Sequence, residues 1–240
     1  MDLFDCLTLP DDYNWGGKVD TSSGPYYHHN YGSTVLGVAH LDTVLTARPH
    51  KEGSVVFAPQ LDDRLGVYCL LGLLPKMGIQ LDVLLTTGEE KCQSTARHFQ
   101  GGYNWVVEFD RAGTDIVFYQ YDDKVWNRAW RIREGVGSYS DIADLELGVC
   151  CANLGIGYHN QHTRFCYADL DDTKKQLRRF AEFYGKHKNT RFPHAETVDD
   201  MWGDWQWDKD LGSYVDTRLR GGWARRANNW EWDSLRESTF

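Results

Sequence analysis

The chain has 240 residues, enough for one large α/β domain and short for two. Its formal net charge of −9 speaks against a nucleic-acid partner, which calls for a basic face. No apolar run approaches the roughly 20 residues of a spanning helix, and Asp2 and Asp5 stand where a secretory leader would be basic, so the expectation is a soluble, cytoplasmic protein with no membrane partner.

In chain order, residues 1–33 are rich in Gly, Tyr, Asp and Ser and read as an irregular lead-in; Tyr26-Tyr27-His28-His29 reads as an aromatic loop. The apolar run 34–39 predicts a buried strand ending at His40-Leu41-Asp42. Residues 55–58 give a weaker strand, and 65–74 a buried helix beginning after Asp62-Asp63. A second buried strand over 81–87 ends at Gly88-Glu89-Glu90, and a helix is expected over 93–99. A third strand over 105–109 ends at Asp110, a fourth is suggested by 115–121, and a fifth over 147–156 leads into Gly157-Tyr158-His159. Leu177, Phe180, Ala181 and Tyr184 recur at helical spacing behind Asp171 or Asp172 as a cap, which predicts an amphipathic helix over 171–184. The six cysteines show no CxxC spacing, and several sit in apolar runs, so they read as reduced, packed thiols.

Continuous apolar strands separated by helical segments describe an α/β three-layer sandwich with a mixed, largely parallel central sheet. After about Thr190 the character changes to tryptophans among charges and glycines. The organisation is therefore a domain over 1–190 and a Trp-rich extension over 191–240, the latter expected to cover an apolar flank, a second copy or another partner.

In such sheets the ligand site lies beyond the carboxyl ends of the strands. His40, Asp42, Asp62, Asp63, Glu89, Glu90 and Asp110 collect there, joined by His159 or His162. Histidine nitrogen and carboxylate oxygen are zinc donors. A two-metal site needs two histidines, a bridging acid, two terminal acids and one acid left unbound as a base, and the chain offers that inventory.

The segments Ala39-His40-Leu41-Asp42-Thr43, Leu61-Asp62-Asp63-Arg64-Leu65-Gly66, Thr87-Gly88-Glu89-Glu90, Phe109-Asp110 and Tyr158-His159-Asn160-Gln161-His162-Thr163 resemble, in order and approximate spacing, those of the co-catalytic di-zinc exopeptidases. That superfamily includes leucyl and glutamyl aminopeptidases, carboxypeptidase G and acetylornithine deacetylase. The resemblance spans about 34–184 and suits the compact form, because the short stretch from Asp110 to His162 leaves no room for an inserted domain.

The resemblance implies two divalent ions, most simply zinc. His40 and Asp110 would bind the first ion, and Glu90 and His162 the second. Asp62 would bridge them, Asp42 would accept from the other nitrogen of His40 through its carboxylate, and Glu89 would be the general base. It implies an exopeptidase or N-acyl-amino-acid amidohydrolase acting on a peptide or acyl-amino-acid substrate. Arg111 and His159 are candidate substrate-binding residues. A single-zinc, glutaminyl-cyclase-like acyltransferase and a non-catalytic scaffold stand as alternatives. His162 is preferred over His159 as the ligand for its His-Thr pair, although Arg164 follows where relatives place an acid.

Overall fold

The longest apolar runs become the centre of a mixed sheet. In the computed structural model, which describes residues 1–10, 12–119 and 124–194 together with the backbone of two later strands, these runs are β3 (Val35–His40), β6 (Asp82–Thr86), β7 (Trp105–Ala112) and β9 (Cys151–His159). They lie side by side as β6-β3-β7-β9, all parallel. Being covered on both faces, they have no need of apolar–polar alternation, which is why they read as continuous runs.

Antiparallel strands extend both edges. On one side β1 (Lys18–Thr21) and β2 (Gly24–His29) form a hairpin that pairs with β6. On the other, β10 (Tyr167–Asp169) pairs with β9 and with β5 (Val55–Phe57), which pairs with β4 (His50–Glu52). The lead-in is thus structured. Besides the hairpin it holds α1 (Leu3–Thr8), closed by a capping box in which Asp2 and Asp5 each accept from the other's backbone N–H. The segment Tyr26–His29, read as a loop, is most of β2, because its polar and aromatic side chains hide the strand alternation.

Other elements shift from the sequence expectation for local reasons. In place of a helix over 93–99 there is one 3₁₀ turn, Thr95–His98, capped by the Ser94 side chain and ended by Phe99 in extended conformation. The fourth strand is only β8 (Ile116–Val117), antiparallel to β9; residues 120 and 121 lie outside the described part. The fifth strand starts late, at Cys151, because Gly148 turns the chain at φ 63°. Asp169, still in extended conformation, caps the last helix by accepting from Asp171 N, so neither Asp171 nor Asp172 is the cap.

The three layers are unequal. One face of the sheet carries all the α-helices among the described residues: α1, α2 (Leu61–Tyr68), α3 (Leu74–Lys76), α4 (Lys124–Trp130) and α5 (Leu170–His187). A π turn, Cys69–Leu73, joins α2 to α3. Between helices and sheet, Trp105 packs edge-on against Phe183 and Trp130, and tilted against Trp126. The other face is thin, with Leu36, Val38, Leu84 and Val106 covered by Ala96, Phe99, Tyr103, Ile142 and Leu145 from irregular segments and 3₁₀ turns.

The chain divides into two compact units, Met1–Ala195 and Glu196–Phe240. Residues 191–194 belong to the first: Phe192 packs on Trp126, and Pro193 bridges to Val149. In the second unit β11 (Trp205–Asp208) pairs antiparallel with β12 (Ser213–Asp216), and the side chains of the Trp-rich tail lie outside the described residues. No described helix is long and apolar enough to cross a membrane. None of the six cysteines forms a disulfide, and only Cys92 is exposed.

Gly66 sets how closely α2 approaches the sheet. A Cβ there would fall 2.6 Å from the Phe109 carbonyl oxygen and closer still to the Asp63 carboxylate. Gly66→Ala therefore lowers unfolding free energy by about 1–3 kcal/mol, as overpacking does, which urea denaturation of the full chain measures; an unchanged midpoint would contradict this packing.

Candidate metal centre

Four elements deliver acids and histidines to the carboxyl edge of the parallel strands. His40 ends β3, Asp110 lies in β7, Glu89 and Glu90 stand on a 3₁₀ turn after β6, and Asp62 starts α2. His162 follows β9, in a tight loop with φ 60°. His40 is fully buried, and Asp62, Glu89, Glu90 and Asp110 are nearly so.

The tautomer of His40 follows from one contact. Its Nδ1 lies 2.8 Å from the Asp42 carbonyl oxygen, a group that can only accept, so Nδ1 carries the hydrogen. In the neutral ring Nε2 is then a lone pair. It faces Asp62 Oδ1 at 3.3 Å, Asp110 Oδ2 at 3.6 Å and Glu89 Oε2 at 3.7 Å, and has no hydrogen-bond partner. These gaps exceed ordinary hydrogen-bond distances. They match the spacing of donors around one shared ion, roughly 3.3 Å for a tetrahedron with 2.0–2.1 Å arms.

A second group adjoins the first through Asp62. Its other oxygen, Oδ2, is 3.1 Å from His162 Nε2, which is 2.9 Å from Glu90 Oε2. Asp62 thus gives one carboxylate oxygen to each imidazole. Glu90 Oε1 is buried with no hydrogen-bond partner, a second orphan in the same place. Two orphaned donor atoms among converging carboxylates suit a cation, and nitrogen and carboxylate oxygen are the donor set of zinc.

The electrostatics agree. Burial pushes the Glu89 carboxyl up to about 9, helped by Asp110, Asp141 and Glu90. Burial and Asp62 push Glu90 up to about 7. A hydrogen bond with Asp62, aided by Glu90, raises His162 to about 9. Burial opposes charge on His40, yet Asp110 and Asp62 overcome it and raise its pKa well above the usual value. Asp62 is held low, against its burial, by His162 and His40. The carboxylates compete for too little positive charge.

Of the residues singled out from sequence, the structure gathers His40, Asp62, Glu89, Glu90, Asp110 and His162. Asp42 touches His40 differently from the expectation. Its carbonyl, not its carboxylate, accepts from Nδ1, and the carboxylate accepts instead from Gly88 N at 2.9 Å and Glu90 N at 3.3 Å. His159 is not brought in. Side chains alternate along β9, so Tyr158 faces the centre while the His159 ring packs on Tyr167, 5.1 Å between centroids. Arg111 lines the cleft, paired with Asp115. That cleft, about 390 Å³, is bounded by the centre and by residues such as Tyr119, Tyr139 and Gln161.

The sequence reading assigned no role to the groups that hold the candidate ligands. Tyr158 donates to Asp110 Oδ1 at 3.0 Å. Asn153 fixes the Asp110 backbone from both sides, accepting from its N–H and donating to its carbonyl. Asp141 accepts from Thr86 Oγ1 at 2.6 Å and from Ser94 Oγ, tying together the two ends of the loop that carries Glu89 and Glu90. The available signals were an Asn inside the apolar run Cys151-Ala152-Asn153-Leu154 and the Ser140-Asp141 pair.

No protein-family model and no curated protein sequence matches the chain. Among solved structures it is similar to a tripeptidase from Staphylococcus aureus, with a TM-score of 0.51 and 10% identity over 75% of this chain and 89% of that one. It is also similar to the TET1 peptidase of Pyrococcus horikoshii, with a TM-score of 0.52 and 12% identity over 75% and 98%. Aminopeptidase PepT from Bacillus cereus matches at a TM-score of 0.48 and 11% identity, covering 66% and 83%. At these identities the likeness is one of fold.

Asp141→Ala would leave the buried hydroxyls of Thr86 and Ser94 without their acceptor. It lowers stability by about 1–3 kcal/mol, read by denaturant unfolding, and loosens the Glu89 loop, read as faster amide exchange around Gly88. A variant as stable and as protected as the parent would show the tie to be idle.

Proposed function

We propose that the chain is a hydrolase that cleaves an amide bond of a peptide or N-acyl amino acid with the help of two divalent ions, zinc being the fitting choice. The observation that carries this is Asp62, whose two oxygens are divided between His40 and His162 while Nε2 of His40 faces carboxylates with no partner. The fold shared with a tripeptidase and with the TET1 peptidase supports the peptide-bond reading.

His40 and Asp110 would hold one ion, Glu90 and His162 the other, and Asp62 both. Two ions so held would supply Lewis acidity, making water a better nucleophile near neutral pH and polarising an amide carbonyl. The protein's own part in the chemistry falls to Glu89. Its carboxylate stands beside the first group, 3.7 Å from His40 Nε2, a position that suits a base taking a proton from the attacking water and returning it to the leaving nitrogen. Asp42 keeps His40 in the Nδ1–H tautomer through its carbonyl and fixes the Glu89–Glu90 turn through its carboxylate. Tyr158 and Asn153 hold Asp110 in place.

Elemental analysis of the full chain, purified without chelator, should return two divalent ions per chain. A firm value of one under zinc-replete conditions favours a single-zinc acyltransferase on this fold, and none favours a scaffold. Glu89→Gln should keep both ions and lower kcat on the order of 10²–10⁴-fold; near-parental turnover would remove Glu89 from the mechanism.

His162→Ala should lose one equivalent of metal while His159→Ala retains both. The reverse result would give the ligand role to His159.

A further inference from the structure

Apart from the metal centre, the described lining of the cleft carries one fixed charge, Arg111. Every acid that lines it, Asp62, Glu89, Glu90 and Asp110, already belongs to the centre. The rest of the lining is neutral, including Tyr119, Tyr139 and Gln161. A protonated amine entering the cleft meets no carboxylate outside the centre, whereas an anion meets a guanidinium.

That guanidinium is oriented. Nε donates to Asp115 Oδ1 at 2.6 Å and Nη2 to Oδ2 at 3.0 Å, so one edge of the fork is held in two places. The backbone at Gly135 lies against the pair, where a Cβ would meet the Asp115 carboxylate and come within 2.5 Å of Arg111 Nη2. The two side chains are only 18% and 16% exposed, unlike a loose surface ion pair. Among the described residues nothing accepts from Nη1, which leaves donors on the other side of the fork. Arg133, largely exposed, also approaches Asp115, to 3.9 Å.

Arg111 follows the proposed ligand Asp110 where the pairing of β7 with β9 is irregular, and both line one small cleft of about 390 Å³, the size of a small-ligand site. A group bound to one end is therefore close to the other. We infer that Arg111, oriented by Asp115, binds a free carboxylate of the substrate, so the amide that is cleaved lies beside a carboxylate. The substrate class is then short peptides with a free C-terminus or N-acyl amino acids, which share that chemistry, and not aminoacyl amides that lack it. The inference rests on the hydrolase reading for its chemistry but not for its binding.

The test compares substrates with the same scissile bond with and without the charge: leucyl-glycine against leucyl-glycinamide, and N-acetyl-leucine against N-acetyl-leucinamide. For the metal-loaded parent, kcat/KM is expected to be about 10–100-fold higher for whichever free acid is the substrate, as loss of a charge-assisted hydrogen bond predicts. Arg111→Met should bring that acid down to the level of its amide, chiefly through KM, with metal content unchanged, and Arg111→Lys should recover part of the difference. An amide turned over as fast as its acid, or a preference that survives in Arg111→Met, overturns the inference. Calorimetric binding of the same pairs to Glu89→Gln gives a readout that does not need turnover. If no amide bond is cleaved but the acid still binds more tightly through Arg111, the hydrolase reading falls and the carboxylate site stands. If the acid and its amide bind alike, the carboxylate site falls by itself.

Discussion

The structure turns on an imidazole lone pair that faces carboxylates. His40 Nδ1 is committed to a carbonyl oxygen, so Nε2 has no proton to offer in the neutral ring, yet Asp62, Asp110 and Glu89 all direct oxygens at it. Groups so arranged repel one another unless a positive charge lies among them. Without a metal, the only remedy is protons, and the raised proton affinities of His40, Glu89 and Glu90 express that demand. Metal ions would meet it in a different way, by coordination, and would leave Glu89 free to exchange its proton with substrate.

Holding like charges together requires a rigid surround, and the fold supplies it from the sheet. His40 and Asp110 are fixed by β3 and β7, adjacent parallel strands of the core. Asp62 is brought in by α2, which approaches closely because position 66 has no side chain. Glu89 and Glu90 sit on a turn rather than in a strand, and that turn is tied down by Asp42 from one side and by Asp141 across its base. Removal of such a tie should be felt at the centre even though neither tie touches the proposed reacting atoms. His162, on an exposed loop, is the least constrained of the set.

What could be read from the sequence follows this division of labour. Strand-end acids and histidines were legible because each follows an apolar run whose burial needs no partner information, as in Val38-Ala39-His40 or Val107-Glu108-Phe109-Asp110. Contacts made by a backbone were not legible. Asp42 was expected to act on His40 through its carboxylate, and a carbonyl does that work, because sequence records side chains and not which main-chain group they meet. The choice between His159 and His162 also lay beyond periodicity, since it depends on where β9 ends and which face its last residue takes. The hairpin of β1 and β2 was hidden because its strands are polar and lie at the edge of the sheet, where alternation is weak.

The same reasoning explains why a proposed reaction emerges more readily than a substrate. The proposed reaction chemistry falls to the strand ends, where position along an apolar run predicts position in space. Substrate choice would fall to the walls of the cleft, where Tyr119, Tyr139 and Gln161 come from segments with no periodicity. Arg111 is a wall residue placed by a core strand, at the next position after Asp110. Its side chain is fixed in direction by Asp115 and by the chain at Gly135. Selectivity that depends on a single oriented charge is sharp for the presence of a carboxylate and indifferent to the residue that bears it, because the neutral walls offer shape and scattered hydroxyls but no second charge. On that basis the chain should tolerate varied side chains while insisting on the free acid, a pattern opposite to that of an enzyme that reads its substrate through a fitted side-chain pocket.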